Sequence, residues 1–329
     1  MSQRVLVTGA GGFIGSHLVE ELVRQGYRVR ALVRYVSSGS LGKLEELPPE
    51  LLSEVEVVRG DIRDAECVRR AVRQCAAVLH LAAAISIPYS YVHPREVLET
   101  NVVGTLNILL AALEEQPERV VVTSTSEVFG TAQRIPMDEQ HPLKPQSPYA
   151  ATKVAADALA LSFWASYGVP VVILRPFNTY GPRQSPRAVV PTIILQALQR
   201  DEIRLGNRHT RRDLLYVADT IAGFLACLRA PLERILGRSF NLGTGREVSV
   251  EELCTEILRL MGRQGVPIRS EARRQRPETS EVERLCADAT AARTVLGWAP
   301  RWTLQQGLQQ TIAYFAQRLQ SFRPEDYLI

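Results

Sequence analysis

Arg4-Val5-Leu6-Val7-Thr8-Gly9-Ala10-Gly11-Gly12-Phe13-Ile14-Gly15 decides the fold. A short apolar run ends in glycines, and from Phe13 to Gly26 apolar residues recur at helical spacing. Strand, tight turn and helix in that order form the opening unit of a dinucleotide-binding sheet. Gly9 permits the turn, Gly12 lets backbone approach a pyrophosphate, and Gly15 lets helix pack on strand. Phe13 and Ile14 complete the predicted contact, in a first helical turn whose free N–H groups favour an anion.

Working outward, apolar runs at 27–33, 54–58, 77–84, 119–124 and 169–174 read as five more strands, with helical patterns such as 97–115 and 150–167 between them. Strands alternating with helices predict an α/β fold: a Rossmann-type doubly wound parallel sheet covered on both faces. Ligands of such sheets sit at the carboxyl ends of the strands. That places Asp61 and Ile62 against an adenine, and Leu81, Ala82 and Ala83 along the path of the cofactor. After Arg175 the rhythm changes, and residues 176–191, rich in Pro, Gly, Asn and Arg, read as loop. A helix from Thr192, short strands near Ile203 and Phe240, and helices over 219–230, 249–261 and 304–319 follow. The expected division is a dinucleotide-binding domain over 1–175 and a smaller mixed α/β substrate-binding lobe over 176–329. Part of the latter, about 213–245, returns to the first domain.

Composition sets exclusions. Of 329 residues, 46% are hydrophobic and 22% charged, as in ordinary globular chains. The formal charge of +4 is mild, and no long Lys/Arg run marks a nucleic-acid or membrane surface. No apolar stretch is expected to reach the ~20 residues that span a bilayer. The first strand starts too early for a signal peptide, so a cytoplasmic protein is expected. Cys67, Cys75, Cys227, Cys254 and Cys286 are odd in number and scattered, which argues against a disulfide framework and against a metal site.

Two further segments carry chemistry. At the end of the second strand an NAD site usually presents Asp or Glu to the ribose. Here Val33-Arg34-Tyr35 offers none, with Ser37 and Ser38 just beyond. Arg34 suits a 2′-phosphate instead, so NADP is expected over NAD. Tyr149 and Lys153 are i and i+4 on one helical face, downstream of Thr125-Ser126-Glu127. A phenol of pKa ~10 needs help to work at neutral pH. The ammonium and a positive nicotinamide are expected to lower it, while Thr125 completes a group that holds a sugar hydroxyl.

With these residues in place, the chain resembles the extended short-chain dehydrogenase/reductases acting on sugar nucleotides. The resemblance runs nearly end to end, through His80-Leu-Ala-Ala83, Asn101-Val-Val-Gly-Thr105, Arg175-Pro-Phe-Asn178-Thr-Tyr-Gly-Pro-Arg183, Arg212-Asp213, Asn241-Leu-Gly-Thr-Gly245, Arg276-Pro277 and Leu296-Gly-Trp298. It implies that Asn101 joins the cofactor site and that the dinucleotide stays tightly bound and is recycled. It also implies that Asn178, Arg212 and Arg276 hold the substrate's diphosphate and nucleoside, with Pro88 and Arg187 as further substrate contacts. A homodimer is implied too, through helices near 97–115 and 150–167, where Ala150, Ala151, Ala155, Ala156, Ala158 and Ala160 permit close approach.

Within that family the glutamate selects the reaction. Plain 4-epimerases usually lack the acid, whereas 4,6-dehydratases carry it, often after an Asp. Here Ser126 precedes Glu127, as in GDP-mannose 4,6-dehydratases and UDP-glucuronate decarboxylases. The implied sequence is oxidation at C4 with Tyr149 as base, removal of the C5 proton by Glu127, loss of water from C6, and hydride return to C6. Either Glu127 or a group held by Ser126 protonates the leaving hydroxyl. Ala150-Ala151-Thr152 and Arg212-Asp213 favour the dehydratase over the decarboxylase. The stretch Ile85-Ser-Ile-Pro88-Tyr89-Ser-Tyr91, with Thr123-Ser-Thr-Ser-Glu-Val-Phe-Gly-Thr-Ala132, looks most like dehydratases of nucleotide-linked N-acetylglucosamine in legionaminic-acid-type pathways. Tyr89 and Tyr91 either pack on the sugar or fill the lobe interface. An epimerase or decarboxylase on this scaffold is the rival reading. A non-catalytic dinucleotide sensor would not need the intact Thr125, Tyr149 and Lys153.

Overall fold

The computed structural model describes residues 3–322. Its strands in chain order are β1 (Arg4–Thr8), β2 (Arg28–Arg34), β3 (Glu56–Gly60), β4 (Ala77–His80), β5 (Arg119–Thr123), β6 (Val171–Pro176), β7 (Asn178–Tyr180), β8 (Ile203–Leu205), β9 (Arg211–Tyr216), β10 (Ser239–Leu242), β11 (Glu247–Ser249), β12 (Ile268–Ser270) and β13 (Arg284–Leu285). Seven of them form one sheet in the order β10-β6-β5-β4-β1-β2-β3, and every pairing in it is parallel. The expected doubly wound α/β fold is therefore present. The chain winds outward from β1 to β3, then restarts at β4 on the other side of β1. The switch point lies between β1 and β4, where Thr8 pairs in register with His80. Ligand crevices form at such points.

Helices on both faces explain why the strands read as continuous apolar runs. Val5 and Val7 feed one core and Leu6 the other. The first core continues into the second half of the chain, through Tyr216, Leu253 and Phe315. Local signals place the helices. Ser147 accepts from Ala150 N ahead of Pro148 and starts the helix Pro148–Tyr167, which ends at left-handed Gly168. Capping boxes at Ser249/Glu252 and Thr303/Gln306 start two helices of the lobe, each cap being worth about 1 kcal/mol.

Several details differ from the sequence expectation. Residues 176–191 are not all loop: β7 lies there and pairs with β9, and the helix expected from Thr192 begins at Val189. Within 213–245, β9 stays in the smaller sheet with β7, β11 and β13, while the helix Val217–Arg229 packs on Phe13–Arg24 and β10 extends the main sheet. The helical run Pro94–Glu115 is, against expectation, long and apolar enough to cross a bilayer. Half of its apolar window is buried here, and its second half packs against Ala65–Val72 and Pro148–Tyr167. All five cysteines are free and buried.

Candidate active site

The glycine turn has the shape a dinucleotide diphosphate needs. Gly9 is left-handed, with φ +66°, and a Cβ there would lie 2.8 Å from Ala82 N. A Cβ on Gly15 would meet Gly9 O at 2.2 Å, so both positions require glycine. Gly12 caps Phe13–Arg24 without any side-chain bond, which leaves the first-turn N–H groups, at Phe13 and Ile14, open to an anion. Thr8 Oγ1 fixes the facing wall by accepting from Leu81 N and Ala82 N at 3.1 Å each.

At the outer end of this crevice Arg34 ends β2 and is exposed, in register with Gly60 and next to Asp61. Arg34 makes no ion pair among the described residues. Asp61 is bound by Arg63 at 2.6 Å, which holds its carboxyl below the usual range, with a smaller pull from Arg34. Ile62 is buried against Gly104, where a Cβ would lie 2.5 Å from Ile62 Cδ1. Its carbonyl accepts from Asn107 Nδ2 at 2.9 Å.

Behind the crevice runs a chain of buried hydrogen bonds. Thr8 Oγ1 meets His80 Nδ1 at 2.8 Å, and His80 Nε2 meets Thr105 Oγ1 at 3.1 Å. Thr105 Oγ1 donates to Asn101 O at 2.6 Å. Since Thr8 Oγ1 already accepts from two N–H groups, it donates to Nδ1, and the imidazole proton sits on Nε2. Burial first, then the charge of Lys153, lowers the His80 pKa to about 3, so the ring is neutral. Asn101 stands on a π turn, Glu99–Val103, of the kind that recurs at functional sites. Its Oδ1 accepts from Ala84 N at 2.7 Å, and its Nδ2 donates to Ala84 O at 3.1 Å and to Thr152 Oγ1 at 3.0 Å.

Tyr149 and Lys153 are both buried, Lys153 to 4% exposure. The expected lowering of the phenol is absent in the chain by itself. Burial pushes the Tyr149 phenol above its ordinary range; the bond with Thr125 opposes this, and the negative charges of Glu127 and Asp157 add to it. The cost of burying the phenol outweighs the attractive charge around it. Burial likewise pushes the Lys153 ammonium down, against the pull of Asp157. Asp157 and its partners were missed, although Asp157 is i+4 from Lys153. Its Oδ2 accepts from Ser124 Oγ at 2.5 Å and from Arg175 Nη2 at 3.0 Å, all three being buried. Arg175 also lies 4.8 Å over the Phe129 ring.

Thr125 caps the short turn Ser126–Phe129, accepting from Glu127 N at 3.3 Å. Ser126 and Glu127 are buried. The Glu127 carboxylate meets Arg276 Nη1 at 3.4 Å. Arg212 is buried, with Nη1 donating to Arg211 O at 2.9 Å and Glu283 O at 3.3 Å. Arg212 and Arg276 thus converge beside Glu127. Asn178 lies on β7 with its Oδ1 buried and unpartnered among the described residues. Arg187 and Pro88 are exposed. The Tyr91 hydroxyl meets Ser280 Oγ at 2.6 Å, while Tyr89 donates to Glu96.

A parallel sheet with a glycine turn at its switch point, and a buried Tyr–Lys helix beside it, define an extended short-chain dehydrogenase/reductase. Residues 6–311 match the family described as GDP-mannose 4,6 dehydratase, and the chain belongs to that family. It is 32% identical to dTDP-D-glucose 4,6-dehydratase of Mus musculus over 98% of this chain and 91% of that one. It is 36% identical to UDP-glucose 4-epimerase of Mycolicibacterium smegmatis, over 96% and 100%. Among solved structures, DesIV, a dTDP-glucose 4,6-dehydratase from Streptomyces venezuelae with NAD bound, superposes with a TM-score of 0.88 at 30% identity, covering 98% of this chain and 99% of that one. The protein is an enzyme of the NAD-dependent sugar-nucleotide dehydratase/epimerase class.

Proposed function

We propose that the enzyme is a sugar-nucleotide 4,6-dehydratase converting a GDP- or UDP-linked hexose into its 4-keto-6-deoxy form. The observation that carries this reading is Glu127: a buried carboxylate close enough to Tyr149 to perturb its phenol. Burying a carboxylate costs several kcal/mol unless its partners repay it, and its one ion pair among the described residues, to Arg276, is long. A 4-epimerase has no step for such a group. Elimination across C5 and C6 does.

When bound, the dinucleotide supplies hydride acceptance at C4 and hydride return at C6. Its positive charge also favours the phenolate, against the burial that opposes it. Tyr149 takes the C4 hydroxyl proton, with Thr125 holding that oxygen and Lys153 beside the phenol. The C4 ketone acidifies C5, and Glu127 removes that proton. The leaving C6 hydroxyl departs as water with a proton from Glu127 or from a group held by Ser126, and C5 is reprotonated at the end. Gly9, Gly12, Phe13, Ile14, Gly15, Arg34, Asp61, Ile62, Leu81, Ala82, Ala83, Asn101, Tyr149 and Lys153 hold the cofactor, with NADP preferred. Asn178, Arg187, Arg212, Arg276 and Pro88 hold the substrate. Nucleotide-linked N-acetylglucosamine is the narrower substrate suggested by the 85–91 stretch. A homodimer fits exposed Leu98, Val103, Leu110, Leu113, Trp164 and Tyr167 on the two helices named for it; sedimentation as a monomer at micromolar concentration would remove that part.

The test is product mass spectrometry in deuterated water, with GDP- and UDP-linked glucose, mannose, N-acetylglucosamine and glucuronate. Loss of water with one deuterium at C5, abolished in Glu127→Gln, is the expected result. Unchanged mass with inverted C4, or loss of carbon dioxide, would make the enzyme an epimerase or a decarboxylase.

A further inference from the structure

Four charged side chains meet where the segment 276–281 crosses the turn that carries Glu127. Arg276 Nη1 reaches Glu127 Oε2 at 3.4 Å, and Arg276 Nε lies 4.0 Å from Glu281 Oε1. That same Glu281 oxygen lies 3.7 Å from Arg212 Nη2. Two guanidiniums and two carboxylates cancel, in a place where side-chain exposure is 9% for Glu127, 10% for Arg212, 15% for Glu281 and 24% for Arg276. The contacts are long beside the ~2.7–2.9 Å of a full charge-assisted pair. Arg276 is therefore shared between two carboxylates and committed to neither.

The two arginines differ in how they are held. Arg212 is tied by Nη1 to two main-chain carbonyls. Among the described residues Arg276 pairs only with the carboxylates, on a segment attached through Gln146 Nε2 to Thr279 O at 3.2 Å and Glu281 O at 3.0 Å, and through Ser280 to Tyr91. A diphosphate arriving between them supplies the negative charge that the carboxylates now supply, with better geometry for a guanidinium fork. Arg212 then stays and Arg276 changes partner.

We propose that Arg276 is a latch on Glu127 which the substrate's diphosphate releases. Without a diphosphate the guanidinium pairs with the acid/base carboxylate. A bound diphosphate draws it away and leaves Glu127 free for the sugar, so the carboxylate becomes available only when a complete nucleotide sugar is present. This rests on the reading of Arg212 and Arg276 as diphosphate ligands. Glu281, sharing the same guanidinium, is the second half of the latch and acts as a positioning residue.

Coupling of this kind is reciprocal: if phosphate competes with Glu127 for Arg276, removing the Glu127 charge must tighten phosphate binding. Calorimetric titration of inorganic pyrophosphate, and separately of UDP, into the dinucleotide-loaded enzyme reads this directly. Glu127→Gln is expected to tighten pyrophosphate binding by about tenfold in the wild-type background, a typical coupling. In an Arg276→Met background, where through-space repulsion survives and competition does not, the gain should be no more than about twofold, the scatter of independent effects. Glu281→Gln gives a second reading that keeps Arg276: its gain and that of Glu127→Gln should fall short of additive, because both free one guanidinium. Equal gains in the two backgrounds, or additive gains of the two glutamine variants, overturn the latch while leaving the diphosphate site intact. Failure of both pyrophosphate and UDP to bind the wild-type enzyme overturns the diphosphate site itself.

Discussion

Asn101 Nδ2 donates to Thr152 Oγ1 at 3.0 Å, and Thr152 Oγ1 donates in turn to Tyr149 O at 2.7 Å. With the bonds from Thr8 through His80 and Thr105, this links the carboxyl end of β1 to the first turn of the helix that bears Tyr149 and Lys153. The glycine turn and the Tyr149–Lys153 pair are therefore joined by one buried polar network, in which every link depends on the next.

Asn101→Leu should break that link while keeping the volume nearly constant. It leaves Ala84 N–H and Ala84 C=O, both part-buried, without their partner and Thr152 Oγ1 without its donor, and a buried orphan costs about 1–3 kcal/mol. An overall loss of about 3 kcal/mol is expected, read as a lower urea midpoint at unchanged slope. A change below about 1 kcal/mol would mean that the network positions nothing.

The acid side of the stability profile belongs to two histidines. His80 is lowered to about 3, and His17 to about 4, chiefly by burial, against an ordinary value of 6.5. The unfolded chain takes up these protons near pH 6.5 and the folded chain does not until far lower, so stability falls as pH drops through that window. Between pH 7 and pH 5 the loss should be roughly 2 kcal/mol per histidine. Guanidinium unfolding at the two pH values reads it. His17→Gln should remove about half of the difference, and an unaltered difference would place the proton uptake elsewhere.

Asp157→Asn tests the ion pair beneath the catalytic helix. Removing one partner of a buried pair typically costs about 3–5 kcal/mol, and here Arg175, at 4% exposure, would be left uncompensated. The same carboxylate raises both the Lys153 ammonium and the Tyr149 phenol. Both limbs of the kcat/KM profile should therefore move to lower pH in the variant. Destabilisation with an unmoved profile would make Asp157 a purely structural partner.

The sequence was most legible where function is written in adjacent residues. Gly9 and Gly15 reveal themselves because backbone passes where a Cβ would stand, and glycine alone solves that problem. Tyr149 and Lys153 are visible because a helix puts i and i+4 on one face. What escaped was long-range or non-helical. Glu127 and Arg276 are 149 residues apart, and no local pattern records their meeting. The π turn under Asn101 has no periodic signature. The strand Asn178–Tyr180, three residues long, hides in a run of Pro and Gly because β9, far along the chain, provides its partner. Asp157 was the avoidable omission, since the spacing that revealed Lys153 revealed it too.

The proposed preference for NADP rests on Arg34. It stands exposed at the end of β2, unpaired among the described residues, with Asp61 already engaged by Arg63. A 2′-phosphate near Arg34 would gain a charge-assisted contact, while a plain ribose hydroxyl would find no carboxylate on that strand. Hydrogen bonds to charged groups contribute about 1.5–3 kcal/mol, so Arg34→Ala should weaken NADP binding by roughly 10- to 100-fold and leave NAD nearly unchanged. Fluorescence titration of the stripped enzyme with each dinucleotide measures both. Tighter binding of NAD than of NADP by the wild-type enzyme would assign Arg34 to the solvent and the site to NAD, in line with the NAD-bound structure of DesIV.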